Sequence, residues 1–221
     1  WYAWWKTYRK YILSNAVVAA TAPVDIFLVA HELQTPTQHC PDLWKTLIRD
    51  VRSILPPTVQ VSAAFNAPII TYYPNVPWIA DLDFIGVDAY YGLDIPVPSL
   101  PWKDANASTV KHAWDSGPTA SLANLSMATG KDILITETGA QSRPWSYSRG
   151  STVPPGHQLD PTDCSVWDQC MSSVAQSLYY DGMMQSLYAH NWFKGFTLWL
   201  WRADPSAGGG SDDSFTPSGK P

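Results

Sequence analysis

Glutamate is almost missing from this sequence. Of its 221 residues, two are glutamate, Glu32 and Glu137, against seventeen aspartates. Ordinary usage, roughly 6%, would supply about a dozen, most of them on helix surfaces. Basic runs are missing too, and the net charge is −5, which argues against a nucleic-acid partner. No apolar run reaches the roughly 18 residues of a membrane span; the stretch "NAVVAATAPVDIFLVA" is broken by Pro23 and Asp25. Three cysteines, Cys40, Cys164 and Cys170, are too few for a disulfide framework or a zinc site. One pair plus a free thiol is compatible with that count, and pairing Cys164 with Cys170 requires Cys164 to precede the following helix. The remaining histidines, His39, His112, His157 and His190, are scattered, so neither a metal nor a cofactor is expected. There is no G-x-G-x-x-G and no P-loop, and "HELQT" lacks the second histidine of H-E-x-x-H. A signal peptide and an initiator methionine are also missing. The chain opens inside a helical pattern, "WYAWWKTYRKYIL", as expected of a sequence that starts partway through a longer protein.

Aromatic residues are abundant instead. Twelve tryptophans and eleven tyrosines supply either a Trp-rich core or flat amphipathic platforms for sugar rings. Two sequons, "NAS" at Asn106 and "NLS" at Asn124, lean toward a secreted glycoprotein.

Apolar patterning divides the chain into helices and strands. Helices are expected over 1–21, 42–55 (with Asp42 as its cap), 108–129 (with a break at Gly117-Pro118) and 165–191. Strands are expected over 24–33, 59–66, 83–91, 132–139 and 193–201. The continuous apolar character of these runs marks strands buried on both faces. A Ser/Pro/Gly-rich loop, 140–163, carries Trp145 and Tyr147 either over a cleft or on the free surface, and 204–221 reads as a polar tail after a domain spanning 1–203. Alternating helices and strands predict an α/β fold with a parallel sheet, either doubly wound or a (β/α)₈ barrel. In a barrel, function gathers at the C-terminal strand ends. Here those ends carry Glu32, Asn66, Asp88 with Tyr90 and Tyr91, Glu137, and Trp199 with Trp201.

A carboxylate at the end of an apolar strand is costly to desolvate unless it is paired or working. Both glutamates occupy such a position. Two carboxylates at strand ends on one barrel face suit glycoside hydrolysis: one protonates the leaving oxygen, and the other attacks the anomeric carbon when the two lie about 5–5.5 Å apart. A separation of about 6.5–9.5 Å indicates inversion instead. The competing reading is that each glutamate is a salt-bridged rim residue. A donor from Asp88 or Tyr90 would keep one of the two carboxyls ionised while apolar walls keep the other protonated.

The segments "HEL", "DFIGVDAYY", "ILITETG" and "GFTLWLW" together resemble the later strands of clan A glycoside hydrolases. Within that clan they resemble glycoside hydrolase family 113, the β-mannanase-like barrels. The resemblance runs in order over most of the chain and extends to the closing "ADPSAGGGSDDSFTPSGKP". It implies a (β/α)₈ TIM-barrel-type fold, with this chain supplying about strands four to eight and lacking the N-terminal strands. It also implies a retaining enzyme acting on a β-linked neutral polysaccharide such as mannan, with Glu32 as acid/base and Glu137 as nucleophile. Tyr90 or Tyr91 would steady the nucleophile, and Trp199 or Trp201 would stack on the sugar. Asn66 and Asp88 would line the site. His31 departs from the clan, where asparagine usually precedes the acid/base; it either hydrogen-bonds a substrate hydroxyl or is a satisfied rim histidine. Five strands cannot close an eight-stranded barrel, so another chain or further residues are expected to cover the open sheet. Two other functions fit the same residues. One is a non-catalytic carbohydrate-binding or structural protein on a barrel remnant. The other is an interaction module of an extracellular assembly, with 1–21 and 24–33 at the interface.

Overall fold

A computed structural model describes residues 1–93, 95, 106–143, 145–149, 172–204, 206–209, 212 and 214–220. Cys164, Cys170 and most of the 140–163 loop lie outside them. The elements follow in chain order as α1 (Tyr2–Ala19), β1 (Ile26–His31), the short α2 (Gln34–Thr37), α3 (Pro41–Ile54) and β2 (Gln60–Asn66). Next come α4 (Ile69–Tyr72), β3 (Ile85–Asp88), α5 (Ala107–Trp114) and α6 (Ala120–Thr129). The last are β4 (Ile133–Thr138), α7 (Ser146–Arg149), α8 (Ser173–Leu187) and β5 (Phe193–Leu198). The strands form one sheet in the order β1-β2-β3-β4-β5, and β1 with β2 and β2 with β3 pair in parallel. This is the α/β alternation expected from the apolar runs. Among the described residues, no helix is long and apolar enough to cross a membrane.

The chain divides into two compact units. The first holds Trp1–Asp88 and Leu125–Leu134. Its core is aromatic. On α3, Trp44, Leu47, Ile48 and Val51 recur at helical spacing, and all four are buried. Trp44 stacks on Trp78 with ring centres 4.8 Å apart, and Trp5 of α1 meets Trp44 edge-on at the same distance. Phe65 of β2 completes the cluster against Trp78 at 5.6 Å. Buried indole N–H groups need acceptors. Trp44 Nε1 donates to the Pro36 carbonyl at 3.0 Å, and Trp78 Nε1 to the Thr37 carbonyl at 2.8 Å. These tryptophans are therefore core residues, and they also pin α2. On α1 the buried residues are Trp5, Ile12 and Ala16, while Tyr11 and Val18 are exposed. The α3 cap differs from expectation. Cys40, at φ 51°, precedes the helix with no side-chain cap, Pro41 opens it, and Asp42 stands inside the first turn. Proline's preset φ and its missing N–H suit that opening position.

Register within this unit has one irregularity. Leu28 pairs with Ser62, but His31 pairs with Ala64, so β1 spends three residues where β2 spends two. In regular pairing His31 would lie opposite Phe65, on the face packed against Trp78. A one-residue shift moves a side chain to the other face of a sheet. The extra residue in β1 thus places His31 on the face of Ala64, Gly86 and Asp88, because Ala64 pairs with Gly86 and Asn66 with Asp88. Within the irregular stretch, the Val29 carbonyl accepts from Tyr8 Oη at 2.7 Å. Burial pushes the Tyr8 phenol well above its usual range.

The second unit holds Ala89–Asn124 and Ile135–Pro221. Helix α8 buries Ala175, Gln176, Tyr179, Met183 and Leu187 on one side. It approaches α5 at Gly182, where a Cβ would sit 2.5 Å from a Val110 methyl. The expected break at Gly117-Pro118 is instead a π turn, Asp115–Thr119, which joins α5 to α6. Proline's missing N–H makes a wider turn there tolerable. The described part of the 140–163 loop also corrects expectation. Trp145 and Tyr147 are fully buried, and Ser146–Arg149 is a helical turn, so neither ring overhangs a cleft or sits on the surface. The described residues of 204–221 have no helix or strand. They are nevertheless packed: Thr216 is fully buried, and Gln176 Nε2 donates to the Phe215 carbonyl at 3.0 Å.

Candidate active site

Each unit carries its own share of the strand-end residues. In the first unit, β1 ends at His31 and the chain turns at Glu32, whose φ is +50°. The left-handed region is uncommon for any residue but glycine, and its strain of roughly 1–2 kcal/mol persists where the surroundings over-determine it. Here the Glu32 N–H is tied to the Ala64 carbonyl at 3.0 Å, and α2, pinned by the two indoles, begins two residues later. The outcome is an exposed glutamate on a rigid corner.

His31 Nε2 lies 3.3 Å from Asp88 Oδ2; the aspartate side chain has no solvent exposure and the histidine side chain is 55% exposed. A wholly buried carboxylate demands a partner, and the β1 register places the imidazole where it can serve. Asn66, in register with Asp88, has both ends of its amide engaged. Its Oδ1 accepts from Tyr72 Oη at 3.0 Å, and its Nδ2 donates to Gln34 Oε1 at 3.2 Å. Tyr72 has its phenol pushed up to about 12, by burial first and then by the negative charge of Glu32. Tyr72 and Gln34 were not foreseen. Tyr72 sits in "IITYY", which carries no strand-end signal, and Gln34 lies past the apolar run.

In the second unit, Tyr90 Oη donates to Glu137 Oε2 at 3.0 Å. The strand ladder continues past β3, with the Ala89 N–H on the Glu137 carbonyl at 2.6 Å. Successive residues of extended chain point to opposite faces. Tyr91 therefore turns away from its neighbour. Its ring meets Trp114 edge-on at 5.8 Å, its hydroxyl is buried without a partner among the described residues, and burial raises its phenol. Tyr90, not Tyr91, is the tyrosine hydrogen-bonded to the Glu137 carboxylate, and the half-buried Tyr91 packs its ring against Trp114.

Behind Glu137, Thr138 is buried and donates to the Ala89 carbonyl at 3.1 Å. Gly139 allows the chain just past β5 to come close: a Cβ there would collide with the Trp199 carbonyl and the Phe215 ring. Gln176 holds the turn that follows, donating to the Ala140 carbonyl at 2.8 Å and accepting from Ser142 at 2.9 Å. Trp199 donates its backbone N–H to Thr138 at 2.8 Å while its side chain stays exposed, as does that of Trp201.

Comparison with known proteins agrees with this arrangement of strands. The model of Glycoside Hydrolase Family 113 matches residues 1–220. The fold is similar to that of a GH113 β-mannanase from Alicyclobacillus acidocaldarius solved in complex with ManMIm. The TM-score is 0.73 at 22% identity, over 100% of this chain and 59% of that one. A GH113 β-1,4-mannanase gives a TM-score of 0.67 at 20% identity, over 100% and 60% of the two chains. Fungal β-1,4-galactanases give 0.60 at 18% identity, over 98% and 65%. The chain thus spans about three fifths of the length of the mannanase structures it matches. None of the curated proteins matches the sequence. With a family model matched over nearly its whole length, the chain belongs to glycoside hydrolase family 113.

Proposed function

We propose that the protein is a retaining glycoside hydrolase that cleaves a β-linked neutral polysaccharide of the mannan type. The observation that carries this reading is the family match across residues 1–220. Glu137 is the nucleophile, oriented by the Tyr90 hydroxyl at 3.0 Å. It attacks the anomeric carbon while Glu32 protonates the departing oxygen, and Glu32 then removes a proton from the water that releases the sugar. His31, Asn66 and Asp88 line the sugar's surroundings, and the exposed rings of Trp199 and Trp201 offer stacking faces.

In this reading the five strands are the fourth to eighth of an eight-stranded barrel. The others come from elsewhere in the protein or from a partner chain. The protein acts outside the cell, with glycans on Asn106 and Asn124, both of which are exposed. A mobility shift on treatment with an N-glycan-releasing amidase checks that last point.

The test of mechanism uses a 2-deoxy-2-fluoro-β-mannosyl fluoride, which slows release of the glycosyl-enzyme. Mass spectrometry should then find one added sugar, on the peptide containing Glu137. Turnover of β-1,4-mannan that survives Glu137→Gln would remove this assignment. The second reading is a carbohydrate-binding protein without catalysis, favoured by the exposed rings of Trp199 and Trp201. It predicts glycan binding unchanged by Glu137→Gln and no hydrolysis by the wild-type protein.

A further inference from the structure

We infer that Gln34 is a substrate-binding residue that donates a hydrogen bond from Nε2 to a hydroxyl of the leaving-group sugar. The inference rests on the proposed glycosidase reading and adds to it a residue on the side of the cleaved bond that Glu32 serves.

Gln34 lies two residues beyond Glu32, at the start of α2, and it is exposed. An exposed glutamine is usually mobile, but several contacts hold this one. Its backbone carbonyl accepts from Thr37 Oγ1 at 3.0 Å and from Gln38 Nε2 at 2.9 Å. Its side-chain Oε1 accepts from Asn66 Nδ2 at 3.2 Å, and Asn66 is itself oriented by Tyr72 Oη at 3.0 Å. The two carbonyls at the end of α2, those of Pro36 and Thr37, are fixed by buried tryptophan N–H groups. With Oε1 occupied by Asn66, the donor left to the amide is Nε2. Nε2 has no partner among the described residues, so the amide presents a preorganised donor beside the strained Glu32 corner. A donor held this way loses little freedom on binding and is suited to a fixed hydroxyl acceptor. A general acid must reach the glycosidic oxygen, so a donor two residues away is placed for the sugar on the departing side of that oxygen.

The test compares two substrates with the whole protein. One is a β-1,4-manno-oligosaccharide, whose leaving group is a sugar. The other is an aryl β-mannoside, whose leaving group has no sugar hydroxyl. Gln34→Ala removes the side chain, and Gln34→Glu keeps the acceptor for Asn66 Nδ2 while removing the donor. Both variants should lower kcat/KM on the oligosaccharide by roughly 3- to 10-fold, the range expected for one neutral hydrogen bond. Gln34→Ala, which adds no charge near Glu32, should leave the aryl substrate within about twofold, less than the loss of such a bond. Equal losses on the two substrates would mean that Gln34 acts through the fold, and no loss on either would mean that it touches nothing; each outcome overturns the inference. A wild-type protein inactive on both substrates would instead refute the hydrolase reading on which the inference stands.

Discussion

The corner at Glu32 allows a test that separates backbone strain from side-chain chemistry. Glu32→Ala and Glu32→Gly delete the same carboxylate and differ mainly in what they ask of the backbone. At φ +50° an alanine carries the full left-handed penalty, roughly 1–2 kcal/mol, whereas glycine adopts the region freely. Glycine also has more freedom to lose from the unfolded chain, a cost of about 0.5–1 kcal/mol. The difference leaves the glycine variant ahead by about 1 kcal/mol. For a chain of this length that is about 2–4 °C in Tm. The Glu32 N–H bond to Ala64 at 3.0 Å belongs to the backbone, so both variants retain it and it cancels. Thermal unfolding followed by circular dichroism, at matched concentration and pH, reads the difference directly. Both variants should lose polysaccharide hydrolysis. An alanine variant as stable as the glycine variant, or more so, would show that the corner stores no strain and that its rigidity has another source.

Four further outcomes follow from the same contacts. Tyr90→Phe removes one hydrogen bond to the Glu137 carboxylate; at about 1.5–3 kcal/mol for a charged acceptor, kcat on mannan should fall roughly 10- to 150-fold, as steady-state kinetics would measure. Tyr8→Phe leaves the Val29 carbonyl without its donor, so urea unfolding should show a loss of about 1–2 kcal/mol. Gln176→Met keeps the volume but removes the bonds to Ala140, Phe215 and Ser142; a loss of about 3 kcal/mol is expected in calorimetry, and unchanged stability would mean that the turn after Glu137 is held by packing alone. Burial raises the Asp83 carboxyl, but the Arg52 guanidinium and the Val61 N–H outweigh it and hold the group below its usual range. A depressed folded value adds stability above the ordinary carboxylate range that is lost as pH falls through it. Asp83→Asn should therefore cost about 1 kcal/mol at pH 7, after allowance for partial solvent screening, and almost nothing near pH 2 in urea titrations.

The strand bodies were legible as continuous apolar runs, although only β2 and β3 are buried on both faces as those runs imply; β1, β4 and β5 are partly exposed. "IFLVA", "VSAAF", "FIGV", "ILI" and "FTLWL" each lie within or overlap an observed strand, although the ends shortened by a few residues. The polar residues at those ends were legible for the same reason, as interruptions. What the pattern did not carry was conformation beyond the run. Period-two alternation shows no extra residue in "FLVAH", because Val29 and Ala30 are both small and apolar, so the register change that turns His31 toward Asp88 leaves no trace. Nor does a residue name reveal a positive φ when it is not glycine. Tyr90 and Tyr91 were equivalent in the sequence and became distinct only when the ladder fixed which faced Glu137. The hydrogen-bonded line from Tyr72 through Asn66 to Gln34 spans 38 positions through a hydroxyl and two side-chain amides, which give no periodic signal at all.

The surplus residue in the first strand makes the site depend on register rather than on chain length. Were either Val29 or Ala30 deleted, the strand would pair evenly with its neighbour, and His31, then two places after Leu28, would still fall opposite Ala64. A three-base gap there is therefore a mild lesion for the imidazole. A strand of unchanged length that slipped into even pairing would instead carry it to the face of Phe65. A chain of the right length with a cooperative melting curve can thus still present the wrong face, so intact folding is a poor witness that it works.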